Sequence, residues 1–166
     1  MLKKGSTILS KKLFKLTIGG GVAFWAANFA ISRTPIAAEY RAALSISYLP
    51  MLVESLIGGL IIGFFVSYFL VRLFEKIPTK DPILKSVILS FLVLIIATIL
   101  IGGPSSFLTP NEPLRYFLIG ALFNVLRILA LGIVIGFLYK RLYWSARVHV
   151  VGIGLPGFSL IKGDRK

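Results

Sequence analysis

The sequence predicts an all-α membrane protein with four transmembrane helices, and three observations support this prediction. First, 57% of its 166 residues are hydrophobic and only 15% are charged, which is unlike a soluble domain. Second, the apolar residues form four stretches, at about 16–32, 49–74, 86–102 and 116–139, each long enough to cross a hydrocarbon core of about 30 Å as a helix. Third, the segments between these stretches differ strongly in their content of basic residues.

The basic residues predict the orientation of the chain. Of the 19 Lys and Arg residues, 15 lie before the first stretch, at or between the second and third, or after the fourth. The other two connections hold only Arg33, Arg41 and Arg115, and Arg127 lies inside the fourth stretch. Because Lys and Arg in short loops resist translocation, we expect a multi-pass protein of the cell membrane with both termini in the cytoplasm. The net charge of +13 then indicates attraction to anionic lipid rather than to nucleic acid.

Residues 1–142 are predicted to form a single four-helix transmembrane bundle. The first stretch is expected to be an uncleaved span, because small residues are poorly placed around it for signal cleavage. In the connection that follows, Thr34 and Pro35 precede a segment at 37–44 that could form a short helix at the membrane interface. We predict that residues 143–166 form a cytoplasmic tail on the membrane interface, since glycines and a proline interrupt its apolar part. Contact with a partner subunit and disorder are the alternatives for this tail.

The second and fourth stretches resemble each other. The segment Gly-Leu-Ile-Ile-Gly-Phe at 59–64 matches Gly-Ile-Val-Ile-Gly-Phe at 132–137, and five residues before each segment stands a charged residue, Glu54 or Arg127. The match suggests a 2+2 internal repeat of two helix pairs. Because two crossings restore the starting side of the membrane, this repeat would be parallel, with an axis near the membrane normal. Chance similarity between apolar helices is the alternative.

Two glycine pairs within these segments predict helix packing faces. Gly59 and Gly63 lie one turn apart on one side of their helix, and so do Gly132 and Gly136. Small residues at this spacing allow two helix backbones to approach closely in a bilayer. The spacing does not decide whether each face packs within one chain or between two copies.

Glu54 and Arg127 are the charged residues that we expect inside the bundle. Glu54 is expected near the outer boundary of the membrane and Arg127 nearer its middle, with Asn124 one turn further out than Arg127. An unpaired charge in hydrocarbon costs roughly 2.5–3.5 kcal/mol on insertion scales, which favours a structural ion pair between the two. A functional polar site for an ion, a proton or an anionic substrate is the second interpretation. Independent snorkelling of each side chain to the interface is the third.

The composition restricts the chemistry that the chain can perform. It has no cysteine, one histidine and six acidic residues, which excludes disulfides and thiolate metal sites and leaves little material for hydrolysis. No cofactor, metal site or catalytic residue is predicted. We therefore expect a non-catalytic accessory subunit or a self-associating bundle, whose partners are lipid and either itself or other membrane subunits. A small transporter or channel that uses the Glu54 and Arg127 site is the alternative.

The predicted orientation can be tested with reporters. A reporter fused to either end of the chain should be accessible only from the cytoplasm, because both terminal segments are rich in basic residues, which resist translocation. Protease or thiol-reagent accessibility in intact cells and in inverted vesicles measures this. An extracellular or periplasmic signal from either fusion would contradict the orientation.

Overall fold

The computed structural model describes residues 2–101 and 112–152, and side chains within 10–99 and 112–142. All regular structure in these ranges is helical. The helices are α1 (Leu2–Ser32), α2 (Pro35–Ala43), α3 (Tyr48–Leu73), α4 (Pro82–Ile101) and α5 (Pro113–Gly152). Of these described helices, four are long and apolar enough to cross a membrane, namely α1, α3, α4 and α5. The predicted all-α fold with four candidate membrane spans is confirmed.

The helix α5 continues well beyond the predicted fourth stretch. It runs to Gly152, and no glycine or proline occurs between Gly136 and that residue. Without either residue type, nothing in the local sequence interrupts the helix. The first part of the predicted tail is therefore a continuation of α5, and the rest of that tail, 153–166, lies outside the described residues.

The four long helices form a ring in the order α3, α1, α5, α4. Helix α1 packs against α3 on one side and against α5 on the other, while α4 packs against α5 and, less extensively, against α3. Helices α3 and α5 lie diagonally across the ring and barely touch. Neighbours run in opposite directions, as in an up-down-up-down bundle. We call the end of the bundle that carries α2 the α2 end, and the opposite end, which carries the α3–α4 connection, the turn end.

Helix α1 can lie between α3 and α5 because of its glycine triplet at 19–21. Gly20 faces α5, where an added Cβ would stand 2.6 Å from the side chain of Ile135. Gly21 faces α3, where an added Cβ would stand 2.6 Å from the side chain of Leu60. Adjacent glycines thus lie on two sides of α1 and let both α3 and α5 approach its backbone closely, which increases the dispersion contacts on each side.

The glycine pairs identified in the sequence also pack within the chain. Gly59 and Gly63 face α1, and an added Cβ at Gly63 would lie 3.0 Å from a backbone carbonyl oxygen of α1. Gly132 and Gly136 face α4, and an added Cβ at Gly136 would lie 2.5 Å from a backbone Cα of α4. Each pair therefore packs on the long helix that precedes its own in the chain. A 2+2 repeat would have this arrangement, but the duplication itself stays a prediction.

The half of the bundle toward the turn end holds much of the fully buried apolar core. Leu16 of α1, Leu70 of α3 and Ile135 of α5 have no solvent exposure, and Leu131 and Val66 are equally buried beside them. Such packing excludes water and leaves little free volume. Buried polar side chains occur at both ends, namely Ser67, Lys85 and Ser86 at the turn end and Asn28 and Ser32 at the α2 end.

We expect Gly136→Ala to destabilise the protein and Gly58→Ala to leave its stability unchanged. The new methyl group at Gly136 meets backbone atoms of α4, which cannot move aside as a side chain could, whereas a Cβ at Gly58 has no heavy atom within 4 Å. Overpacking of this kind costs about 1–3 kcal/mol. Unfolding of the two variants in detergent micelles measures the difference, and a Gly136→Ala variant as stable as the wild type would contradict this packing.

Candidate functional site

A cavity of about 210 Å³ opens between helices at the α2 end of the bundle. Its walls come from the last turns of α1, from α2, from the start of α3 and from the first half of α5. The polar residues that line it are Asn28, Ser32, Tyr40, Arg41, Asn124 and Arg127. No acidic residue is among the described residues that line the cavity.

Arg127 enters the cavity from α5. It shares one face of that helix with Gly120 and Phe123, which precede it by seven and four residues and also line the cavity. Side chains on a helix lean toward its N-terminus, so the long stem of Arg127 is directed toward the α2 end. There, a terminal nitrogen of its guanidinium donates to Oδ1 of Asn124 across 3.4 Å, which is longer than a strong hydrogen bond. The Nε atom of Arg127 is buried without a hydrogen-bond partner among the described residues.

Asn28 faces the same cavity from α1. Its side chain is only 1% exposed, and neither its amide nitrogen nor its amide oxygen has a hydrogen-bond partner among the described residues. A buried polar group without a partner costs about 1–3 kcal/mol, and native proteins contain few such groups. The amide nitrogen of Asn28 is therefore available to donate, and its amide oxygen to accept, hydrogen bonds in the cavity.

The short helix α2 contributes to the wall of the cavity at the α2 end. The local sequence explains why this segment is helical. Thr34 caps its N-terminus by accepting a hydrogen bond from the backbone N–H of Ala37 at 3.2 Å. Pro35 occupies the first turn, where its missing N–H is not needed. The predicted short helix in this connection is thus present, and its role at the membrane interface stays a prediction.

Tyr40 and Arg41 of α2 are placed over the cavity by contacts with the long helices. The Tyr40 hydroxyl lies close to Gly120 of α5, where an added Cβ would come within 2.7 Å of it, and its ring packs edge-on against Phe123 at 5.7 Å. Burial raises the pKa of the Tyr40 phenol above its ordinary value, although the nearby Arg127 opposes this shift. The phenol is therefore neutral at neutral pH and keeps its proton. Arg41 donates to the backbone carbonyl of Ser32 at 2.9 Å.

An ion pair also links α2 to the start of α5. Arg115 contacts Glu39 at 2.8 Å and Glu112 at 3.0 Å. The three side chains are about half exposed. Exposed pairs of this kind contribute little to stability. We therefore expect this ion pair to set the orientation of α2 rather than to stabilise the bundle.

The structure brings Arg127 and Asn124 together but does not bring Glu54 to them. Glu54 is exposed, and it makes no ion pair among the described residues. It directly precedes Ser55, which is on the buried face of α3, and one residue rotates a helical side chain by about 100°. In addition, α3 and α5 lie on a diagonal of the ring with α1 packed against both. The equal offset of the two charges from their glycine pairs therefore does not make them neighbours.

Another cation, at the turn end, is buried and has partners within the chain. Lys85 of α4 is only 5% exposed, and its ammonium donates to the backbone carbonyl of Phe74. The same nitrogen lies 3.8 Å from the centroid of the Phe74 ring, a cation–π contact, and that ring stacks on Tyr139 at 4.8 Å. The lysine thus ties the end of α3 to α4, which explains its burial without a ligand.

Sequence reasoning missed Asn28 and Tyr40 as members of the site. A signal for Asn28 does exist, because Phe24, Asn28 and Ser32 are spaced by four residues and all are buried on one face of α1. A polar residue on the packed face of a membrane helix is a functional candidate by default. For Tyr40 no local signal exists, since its position follows from the way α2 folds back over α5.

We expect the effects of Glu54→Gln and Arg127→Gln on the free energy of unfolding to add. The two side chains share no contact, and distant sites usually add within about 0.3–0.5 kcal/mol. A double-mutant cycle in detergent measures the coupling. As a control, Arg127→Gln should couple with Asn124→Leu, because these two residues share a hydrogen bond. A large coupling between Glu54 and Arg127 would instead support the ion pair that the sequence suggests.

No family model, curated protein or solved structure matches this chain. Its function is therefore inferred from the geometry of the cavity.

Proposed function

We propose that this chain is a small membrane protein with a binding rather than a catalytic role, which captures a small polar solute in the cavity at the α2 end. The observation that carries this proposal is the amide of Asn28, which is buried, unpartnered and part of the cavity wall. A membrane helix retains such a group at a cost in stability. A solute that hydrogen-bonds the amide offsets this cost.

The size of the cavity restricts the solute. Pockets for drug-sized ligands occupy about 300–1,000 Å³, and this cavity is smaller, at about 210 Å³. A molecule of a few heavy atoms fits, whereas a nucleotide or another large cofactor does not. The predicted absence of a cofactor is consistent with this size and stays a prediction.

Capture at one end agrees better with the packing than an open channel does. Between the cavity and the turn end, Leu16, Leu70 and Ile135 fill the interior with no solvent exposure. A channel through this chain would require those side chains to separate. We therefore favour the predicted role of an accessory protein, which presents a solute to a partner in the membrane, over the alternative of a transporter or channel.

The glycine pairs, whose spacing left packing within the chain or between copies open, pack inside the chain. Association with a second copy or with another subunit would have to use a different surface. Lipid, any other partner, and the cell membrane as the location are part of the proposal.

We expect Asn28→Leu to abolish solute binding and also to stabilise the unliganded protein. Leucine has a similar volume and removes a buried amide that has no partner, at a gain of about 1–3 kcal/mol. Thermal unfolding in detergent, followed by intrinsic fluorescence with phosphate, sulfate, glycerol, urea or choline chloride as probes, measures both effects. At least one probe should raise the melting temperature of the wild type by mass action and leave Asn28→Leu unaffected.

The matched control is Thr98→Val, which removes a hydroxyl from α4, where it donates to the backbone carbonyl of Leu94. Thr98 is not among the cavity residues, so this variant should respond to the probe as the wild type does. A wild-type protein that responds to no probe would refute the proposal. An Asn28→Leu variant that is destabilised and responds normally would do the same, because Asn28 would then be structural.

A further inference from the structure

The charges around the cavity point to the class of solute, an inference that rests on the proposed function. We propose that the cavity binds a small oxyanion of the phosphate or sulfate type, either free or as the phosphate of an anionic lipid headgroup. Arg127 supplies the charge for this anion, and Asn28 supplies an amide donor beside it.

The first argument is charge balance. The guanidinium of Arg127 remains protonated in proteins, and no acidic residue is among the described residues that line the cavity around it. Glu54 does not lie there, and Asn124 offers only a neutral oxygen at 3.4 Å. A bound anion supplies the counter-charge that the chain itself does not provide at this position. The contrast with Lys85 is informative, because that cation has a carbonyl and an aromatic ring as partners.

The second argument is the set of donors. The Nε atom of Arg127 and the amide nitrogen of Asn28 are both buried without partners among the described residues. Tyr40 and Arg41 also line the cavity, although the Arg41 guanidinium already donates to the backbone carbonyl of Ser32. Guanidinium groups present several N–H donors in a planar fork that matches the oxygens of phosphate-like anions. A cation would meet two arginines here instead, which disfavours it strongly.

The third argument is a basic approach to the cavity. A shallow groove next to it shares Ser32 and Arg41 with the cavity and adds Arg33 on the surface of the α2 end. An anion that approaches from this side meets Arg33 and Arg41 before it reaches Arg127. A cleft lined by charges of one sign raises the local concentration and the association rate of oppositely charged solutes.

The test compares anions with neutral solutes on the purified, full-length protein. Inorganic phosphate or sulfate should raise the melting temperature at millimolar concentration, while chloride at equal ionic strength and glycerol should not. Arg127→Gln should weaken phosphate binding by about tenfold or more, since it removes a charged hydrogen bond to the anion. Arg115→Gln is the matched control, because Arg115 is an exposed arginine of the same helix whose contacts are with Glu39 and Glu112.

If Arg127→Gln fails to fold, the preference of the wild type for phosphate or sulfate over chloride and glycerol still tests the proposal. Arg127→Lys, which retains the charge, is the second variant. Nanodiscs of phosphatidylcholine with and without phosphatidylglycerol then distinguish the source of the anion. Both results support the proposal: competition between the anionic lipid and phosphate identifies a headgroup, and its absence identifies a free anion.

Two results overturn the proposal. If glycerol or urea binds in an Asn28-dependent way and phosphate and sulfate do not, the solute is neutral, and the proposed capture function stands without the oxyanion. If phosphate binds equally well to the wild type and to Arg127→Gln, or if Arg115→Gln loses as much affinity, the anion is not held at this site.

Discussion

The arrangement of this bundle depends on the close approach of α1 to two helices at once. The glycine triplet at 19–21 leaves adjacent sides of α1 without side chains, so that Ile135 of α5 and Leu60 of α3 both come within contact of its backbone. In a bilayer, such contact stabilises helix association through dispersion rather than through the hydrophobic effect. Because α1 is a neighbour of both α3 and α5, those two helices lie on a diagonal, and the order of the ring follows.

This order determines which polar groups meet. Asn28 of α1 and Arg127 of α5 belong to neighbouring helices and line one cavity, over which α2 places Tyr40. Glu54 belongs to the diagonal helix and is exposed. The bundle therefore places a partly buried cation and a buried amide in the lining of one cavity at its α2 end, with no acid among the described residues that line it.

Both ends of the bundle bury polar groups, and at both some of these groups lack a hydrogen-bond partner among the described residues. At the turn end, Lys85 has a carbonyl and an aromatic ring as partners, and the surrounding core of Leu16, Leu70 and Ile135 has no solvent exposure. At the α2 end, Asn28 has no partner among the described residues, although it is equally buried. The hydroxyls of Ser67 and Ser86 at the turn end also lack partners among the described residues, so what distinguishes the α2 end is that its unpartnered groups line a cavity.

The sequence by itself determined the class of this protein, the number of its candidate membrane spans and the residues that allow close helix packing. Length and composition suffice for these, because a helix must satisfy its own backbone hydrogen bonds in lipid and needs a minimum apolar length. It also singled out Arg127 and Asn124, because charged and amide side chains are rare in such stretches. Only the tertiary structure decided that Asn28, and not Glu54, lies in the cavity with Arg127. That choice depends on which helices become neighbours, and helical periodicity assigns a residue to a face without specifying what that face meets.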